Sequence, residues 1–581
     1  MNSGLIHLAR KTLALLLPMA ALTAACAQPI SDATDSTDSG TERHAATHEL
    51  GPAAVEAASL ITAEVLRAPI TELASDEYAG RGPGSDGDRM TQEYLIEQLE
   101  TIGFEPGASE GGWLQPFDIV GIDAKAPGTW RFSAGDKAIE LTWWDDYIAS
   151  SGVQEESARI DNAELVFVGY GIQAPEYDWD DFKGVDVSGK ILLIMNNDPD
   201  WDPELFEGNR RLYYGRWTYK YEKAAELGAA GAIIIHTTPS AGYPFQVVQT
   251  SWTGPQFEIP AAGEPRVQVP AWTSEDAAYR LMELGGHDLD ALRESAKSRD
   301  FEPMPLGITA SVELTNQVER VETANVIGVL PGSDPELGSE YIVYSAHHDH
   351  LGVGKPNDDG DEIYNGARDN AAGVSQVLAI ARAFASLPER PRRSIMVAFV
   401  AAEEQGLLGS AYLSRNPPVP AGRLTANLNY DGGNIWGRTR DITFIGYGKS
   451  SLDAVVEKFA AEQDRVVKPD QFPDKGYFYR SDQFNFAKVG VPAIYLDEGT
   501  DFVGRPEGWG REQIETWTGV DYHQPSDQLT DDWNFEGMIE DAVLGLRCGY
   551  FLAEQDAPPT WTPGDEFEAA RLEALEQRAS Y

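Results

Sequence analysis

Two apolar runs that end in metal-binding residue types constrain this chain more than any other feature. Tyr341-Ile342-Val343-Tyr344-Ser345-Ala346 leads into His347-His348-Asp349-His350, and Ser394-Ile395-Met396-Val397-Ala398-Phe399-Val400-Ala401-Ala402 leads into Glu403-Glu404. Short runs this apolar read as buried parallel strands, and open α/β sheets place their ligands beyond the carboxyl ends of such strands. Leu428-Asn429-Tyr430 is a third run and ends in Asp431, while Asp369 and His523 lie in loops on either side. Singly, each of these residues is ordinary. Together, His347, Asp369, Glu404, Asp431 and His523 lie where strands or loops end, which points to a metal site at one sheet edge. Neighbouring carboxylates on an extended backbone face different sides, so Glu404 can hold a cation while Glu403 faces a reacting water.

The motifs Ala346-His347-His348-Asp349-His350, Gly366-Ala367-Arg368-Asp369-Asn370-Ala371-Ala372-Gly373, Glu403-Glu404-Gln405-Gly406-Leu407-Leu408-Gly409-Ser410, Asn429-Tyr430-Asp431 and Tyr522-His523-Gln524-Pro525-Ser526-Asp527 closely resemble, in order, those of the aminopeptidase and glutamate carboxypeptidase II family of dizinc exopeptidases. The resemblance implies two Zn2+ per chain, one held by His347 and Asp431, the other by Glu404 and His523, with Asp369 bridging. Imidazole and carboxylate are ordinary zinc ligands, and coordination positions left open admit a water whose pKa the ions lower. It further implies Glu403 as general base, Asp349 as the group that orients the His347 ring, and Tyr522 as a donor to the developing oxyanion. His348 and His350 receive no ligand role. Arg368 stands where many relatives carry a second aspartate, which alters the charge at the cleft rim.

The implied architecture is α/β: a mixed, mostly parallel sheet flanked by helices, the zinc exopeptidase fold, with an inserted β-rich protease-associated domain. A chain of 581 residues exceeds the size at which one core keeps growing. Residues 53–110 are expected to form the first catalytic segment, with an amphipathic helix that stops at Gly103. Residues 111–307 form the insert, where the runs around Val166, Ile191 and Ile233 resemble a protease-associated domain. Asp198, Asp200 and Asp202 alternate like the start of a calcium loop, but Pro203 and Asn209 break that pattern. Residues 308–555 resume the catalytic domain, and residues 556–581 are an acidic tail.

Arg10-Lys11, an apolar stretch and Cys26 read as a secretory signal over residues 1–26, followed by a flexible leader over residues 27–52. Leu22-Thr23-Ala24-Ala25-Cys26 resembles a lipoprotein cleavage box. The expectation is an exported bacterial protein, in the periplasm or on the outer membrane through lipidated Cys26, with ordinary secretion as the alternative. Cys26 and Cys548 are the only cysteines, so no internal disulfide or thiolate cluster is expected in the mature fold. A net charge of −48 disfavours nucleic acid as a partner and leaves peptide substrates.

The expected function is hydrolysis of terminal peptide bonds, by an aminopeptidase. A glutamate carboxypeptidase-like enzyme is the alternative and needs a cationic grip on a terminal carboxylate, for which Arg438, Arg440 and Arg480 are candidates. A non-catalytic receptor-like protein would lose ligands that this chain keeps. A glutaminyl cyclase uses one zinc and has no need of His347 and Asp431.

Overall fold

The computed structural model describes residues 52–578 except residues 204 and 358. The signal segment, Cys26 and nearly all of the leader lie outside the described residues.

The strands Tyr341–His347, Ser394–Val400 and Leu424–Asn429 are parallel neighbours, as the apolar runs require. Ala493–Glu498 extends the parallel set beyond Leu424–Asn429. Antiparallel pairing begins at the margins, where Met304–Leu330 joins Ser394–Val400 and Asp441–Ile445 joins Ala493–Glu498. The sheet is therefore mixed and mostly parallel.

Both of its faces are covered. Ile342, Tyr344, Ile395, Val397 and Phe399 enter one core, beneath the helices Ala63–Leu73, Gly373–Ala385 and Glu536–Glu554. The alternating residues Val343, Met396, Ala398 and Val400 enter another, with Leu413 and Phe486 from the opposite side. Two-sided burial explains why these strands read as continuous apolar runs. The helix expected to stop at Gly103 spans Asp86–Ile102, because the Ser85 side chain accepts from the Asp88 N–H at its start. Gly103 ends it in the left-handed conformation.

The insert has its own cores. Strands Ser157–Phe167, Ile191–Met195, Gly231–His236 and Val269–Ser274 pair in parallel, buried between two sets of apolar side chains. The strand Met304–Leu330 is long enough to pair with Ser157–Phe167 in the insert and with Ser394–Val400 in the catalytic sheet. The insert also contacts the catalytic segment around residues 473–484: Tyr213 packs on Tyr479 and Phe484, and the Arg211 N–H donates to the Pro473 carbonyl at 3.0 Å. Among the described residues, no helix is long and apolar enough to cross a membrane.

Cys548 is fully buried on the helix Glu536–Glu554, and burial pushes its thiol pKa far up. In a Cys26→Ser protein, a chromogenic disulfide reagent at pH 8 is expected to find no reactive thiol until denaturant is added. Rapid labelling of the native protein would contradict this burial.

Candidate metal centre

Five side chains from distant parts of the chain converge beyond the carboxyl edge of the sheet. His347 ends its strand with 1% exposure, and its Nε2 lies 3.1 Å from Asp431 Oδ1 and 3.2 Å from Asp369 Oδ1. His523 Nε2 lies 2.9 Å from Glu404 Oε2 and 3.2 Å from Asp369 Oδ2. Asp369 thus turns one oxygen to each histidine.

Side chains behind the site fix this arrangement. Asp527 accepts from the backbone N–H groups of Arg368 and Asp369 at 2.9 and 3.0 Å. The Asn370 amide donates to the carbonyls of His347 and Tyr430 at 3.3 and 3.0 Å, tying together the ends of two strands. A Cβ at Gly366 would strike the Asp369 carbonyl and the His350 ring, and the residue adopts a φ of +59°, so only glycine fits there.

The two glutamates are placed differently from the sequence expectation. The strand ends at Val400, and Glu403 and Glu404 lie in a turn beyond it, after Ala402 at a φ of +56°. Carboxylate oxygens of Asp349 receive the N–H groups of both, at 3.0 and 3.3 Å. That turn, rather than strand alternation, sends the side chains apart: Glu404 reaches His523, whereas Glu403 Oε2 stays 4.0 Å from His347. Asp349 is also reassigned in detail. Its backbone carbonyl lies 3.2 Å from His347 Nδ1, while the carboxylate is 3.7 Å away and serves the glutamate turn. A proton on Nδ1 facing that carbonyl leaves Nε2 directed at Asp369 and Asp431.

His350, given no role from sequence, sits in the site with Nδ1 2.6 Å from Glu404 Oε1. His348 points away and bonds Asp88 at 3.1 Å. Arg81 lies in the glycine-rich stretch Gly80-Arg81-Gly82-Pro83-Gly84. It is fully buried, and its guanidinium donates to four carbonyls: His348 at 2.9 Å, Leu73 at 2.6 Å, Asn365 at 2.6 Å and Gly366 at 2.9 Å. Tyr522 stacks on His523 with centroids 3.8 Å apart. Burial raises its pKa well above the usual phenol range, so the hydroxyl remains a donor.

Electrostatics call for a cation here. Burial alone would strip His347 and His523 of protons. The surrounding carboxylates outweigh it, raising His347 well above the usual value through Glu403 and Asp431, and His523 to about 10 through Glu404 and Asp369. Burial and Asp369 push Glu404 upward, but His523 and His350 prevail and hold it at about 2. Positive charge that protons supply in this donor set can equally come from bound ions. His523 Nε2 is buried without a hydrogen-bond partner although carboxylate oxygens surround it, which fits a ligand atom. The residues present therefore fit metal: His347, Asp369 and Asp431 form one set, and Asp369, Glu404 and His523 the other, with His350 beside it.

The cationic candidates separate clearly. Arg438 is exposed and paired with Glu540 at 2.6 Å, and Arg440 is exposed and paired with Asp501 at 2.7 Å. Arg480 lies over the Tyr477 ring, 5.4 Å from its centroid, and its charge is felt by Tyr522.

Residues 325–546 match the family model Peptidase family M28, and residues 161–270 match that of the PA domain. The chain is 30% identical to Aminopeptidase NAALADL1 of Mus musculus over 163 residues, which cover 26% of this chain and 20% of that protein. It is 25% identical to Aminopeptidase YwaD of Bacillus subtilis (strain 168) over 367 residues, 62% of each. It thus spans less than two thirds of the length of these curated relatives. The solved structure of an aminopeptidase from Aneurinibacillus sp. strain AM-1 shares the fold, with a TM-score of 0.50, 19% identity, and coverage of 88% of this chain and 98% of that one. The ligand-bearing segments and the sheet that carries them thus lie in the region that matches Peptidase family M28, and the inserted module holds the region that matches the PA domain.

Proposed function

We propose that the protein is a zinc-dependent exopeptidase with two ions per chain, an aminopeptidase that releases N-terminal residues from peptides. The observation that carries this reading is Asp369, whose two oxygens face two separate ligand sets. When bound, the ions supply Lewis acidity toward a carbonyl and favour deprotonation of water. Glu403 does the proton work. Burial raises its pKa well above the usual carboxylate range, against the pull of His347 and with Asp431 and Glu404 adding to the effect, which suits a group that takes up a proton and passes it on. It takes the proton of the attacking water on a carboxylate oxygen and delivers it to the leaving amine. Tyr522 donates its hydroxyl hydrogen toward the oxyanion, and His523 is held in place by the same stack.

Two observations favour the aminopeptidase direction: the relatives named above are aminopeptidases, and Arg438 and Arg440 are occupied by surface ion pairs. Arg480 favours the second reading, a carboxypeptidase, since among the described residues its guanidinium lies over the Tyr477 ring and acts on Tyr522 rather than forming an ion pair. A peptide ladder followed by mass spectrometry decides between them. Free peptides are expected to shorten one residue at a time from the N-terminus, and N-acetylated peptides to resist. Equal shortening of acetylated peptides from the other end would establish the carboxypeptidase.

Export with lipidation of Cys26 is part of the proposal. Metabolic labelling with a radioactive fatty acid should mark the wild type and not Cys26→Ser; a label absent from both would leave simple secretion.

A further inference from the structure

The Arg368 guanidinium lies between two indole rings, 4.6 Å from the Trp436 centroid and 4.1 Å from that of Trp517. Nη2 pairs with Glu498 Oε1 at 2.5 Å, and Nε donates to the Gly433 carbonyl at 3.0 Å. These partners belong to different segments of the metal centre. Gly433 and Trp436 follow Asp431, while Trp517 lies on the helix Trp509–Val520 that leads into His523. From Trp517 the rings continue to Tyr522, 5.6 Å away, and from Tyr522 to His523, stacked at 3.8 Å. His523 Nε2 then returns to Asp369, the residue next to Arg368. The contacts close a loop.

The helix that delivers His523 has little else to seat it. Of its residues Gly510 alone is buried, and its other ring contacts, Trp509 on Phe502 and under Arg505, and Arg511 over Phe472, lie toward its opposite end. His523 itself adopts a φ of +58°, a conformation that surrounding structure must enforce for a residue other than glycine. A guanidinium over an indole attracts most strongly when water is excluded, and the Arg368 side chain is 7% exposed.

We propose that Arg368 is a positioning residue, whose guanidinium, clamped between Trp436 and Trp517, holds the Trp517-Tyr522-His523 ring stack against Asp369 and Glu404. The inference rests on the two-ion reading above. Its competitor is a simpler role, in which Arg368 serves only as the buried ion-pair partner of Glu498.

Zinc affinities of both sites, measured on metal-free full-length protein by competition with a fluorescent chelator, separate these roles, with thermal midpoints recorded alongside. Trp517→Leu removes the ring contact and keeps the ion pair; Glu498→Gln does the reverse. Trp517→Leu and Arg368→Met are expected to weaken the Glu404 and His523 site by about 10-fold or more, and the His347 and Asp431 site by no more than about threefold. Arg368→Lys, which keeps a cation between the rings, should recover part of that loss. Glu498→Gln should lower the thermal midpoint without changing the ratio of the affinities. If Trp517→Leu leaves both affinities within about twofold of wild type, or Glu498→Gln reproduces the selective weakening, the clamp is overturned. Wild-type protein that binds a single ion overturns the two-ion reading instead, a result distinct from two ions bound with unaffected variants.

Discussion

Glu403→Gln is expected, on the two-ion reading proposed above, to lower kcat by about 10²-fold or more with metal content retained, because it removes the proposed proton acceptor and preserves side-chain size. The geometry separates Glu403 from its neighbour. Glu404 lies 2.9 Å from His523 and 2.6 Å from His350, whereas the nearest histidine nitrogen to Glu403 is 4.0 Å away. Glu404→Gln should therefore cost the second ion together with activity, since an anionic ligand is lost. Metal analysis of the two purified variants beside single-turnover rates checks both expectations. Depletion of metal by Glu403→Gln, with Glu404→Gln retaining two ions, would exchange their roles.

Arg81→Met is expected to cost about 3–5 kcal/mol of stability, the scale of removing one partner from a buried, charged hydrogen-bond network. Burial pulls the Arg81 pKa down to about 10, so the guanidinium is charged at neutral pH and bonds four carbonyls with full charge assistance. Methionine keeps the length of the side chain and leaves those carbonyls without their donor inside the protein. Two of them belong to Asn365 and Gly366, just ahead of Asp369, and a third to His348, just after His347. Metal affinity should fall along with the urea midpoint. A midpoint and zinc content equal to wild type would show that other groups or water satisfy these carbonyls.

Much of the fold was legible because parallel strands buried on both faces leave a plain mark. The runs around Val343, Val397 and Leu428 had to be strands, and loops after such strands converge on one edge. That convergence made His347, Asp369, Glu404, Asp431 and His523 readable as a group before any distance was known. Asp349 was identified, but its division of labour was not: a sequence does not distinguish a carbonyl that faces His347 from a carboxylate that caps the glutamate turn. His350 escaped because its position beside Glu404 depends on how two loops meet. Arg81 escaped because its four acceptors come from three segments, up to 285 residues away in the chain.

The sequence by itself determined that His347, Asp369, Glu404, Asp431 and His523 gather at a sheet edge, since apolar periodicity and the residue types at strand ends are local properties. Only the tertiary structure decided how charge and orientation are distributed among them. Asp369 sends its oxygens in two directions, Ala402 turns Glu403 away from Glu404, and Arg368 sits between indoles from segments far apart in the chain. Each depends on contacts between remote segments, and short-range preference carries no information about a contact until the intervening chain has folded.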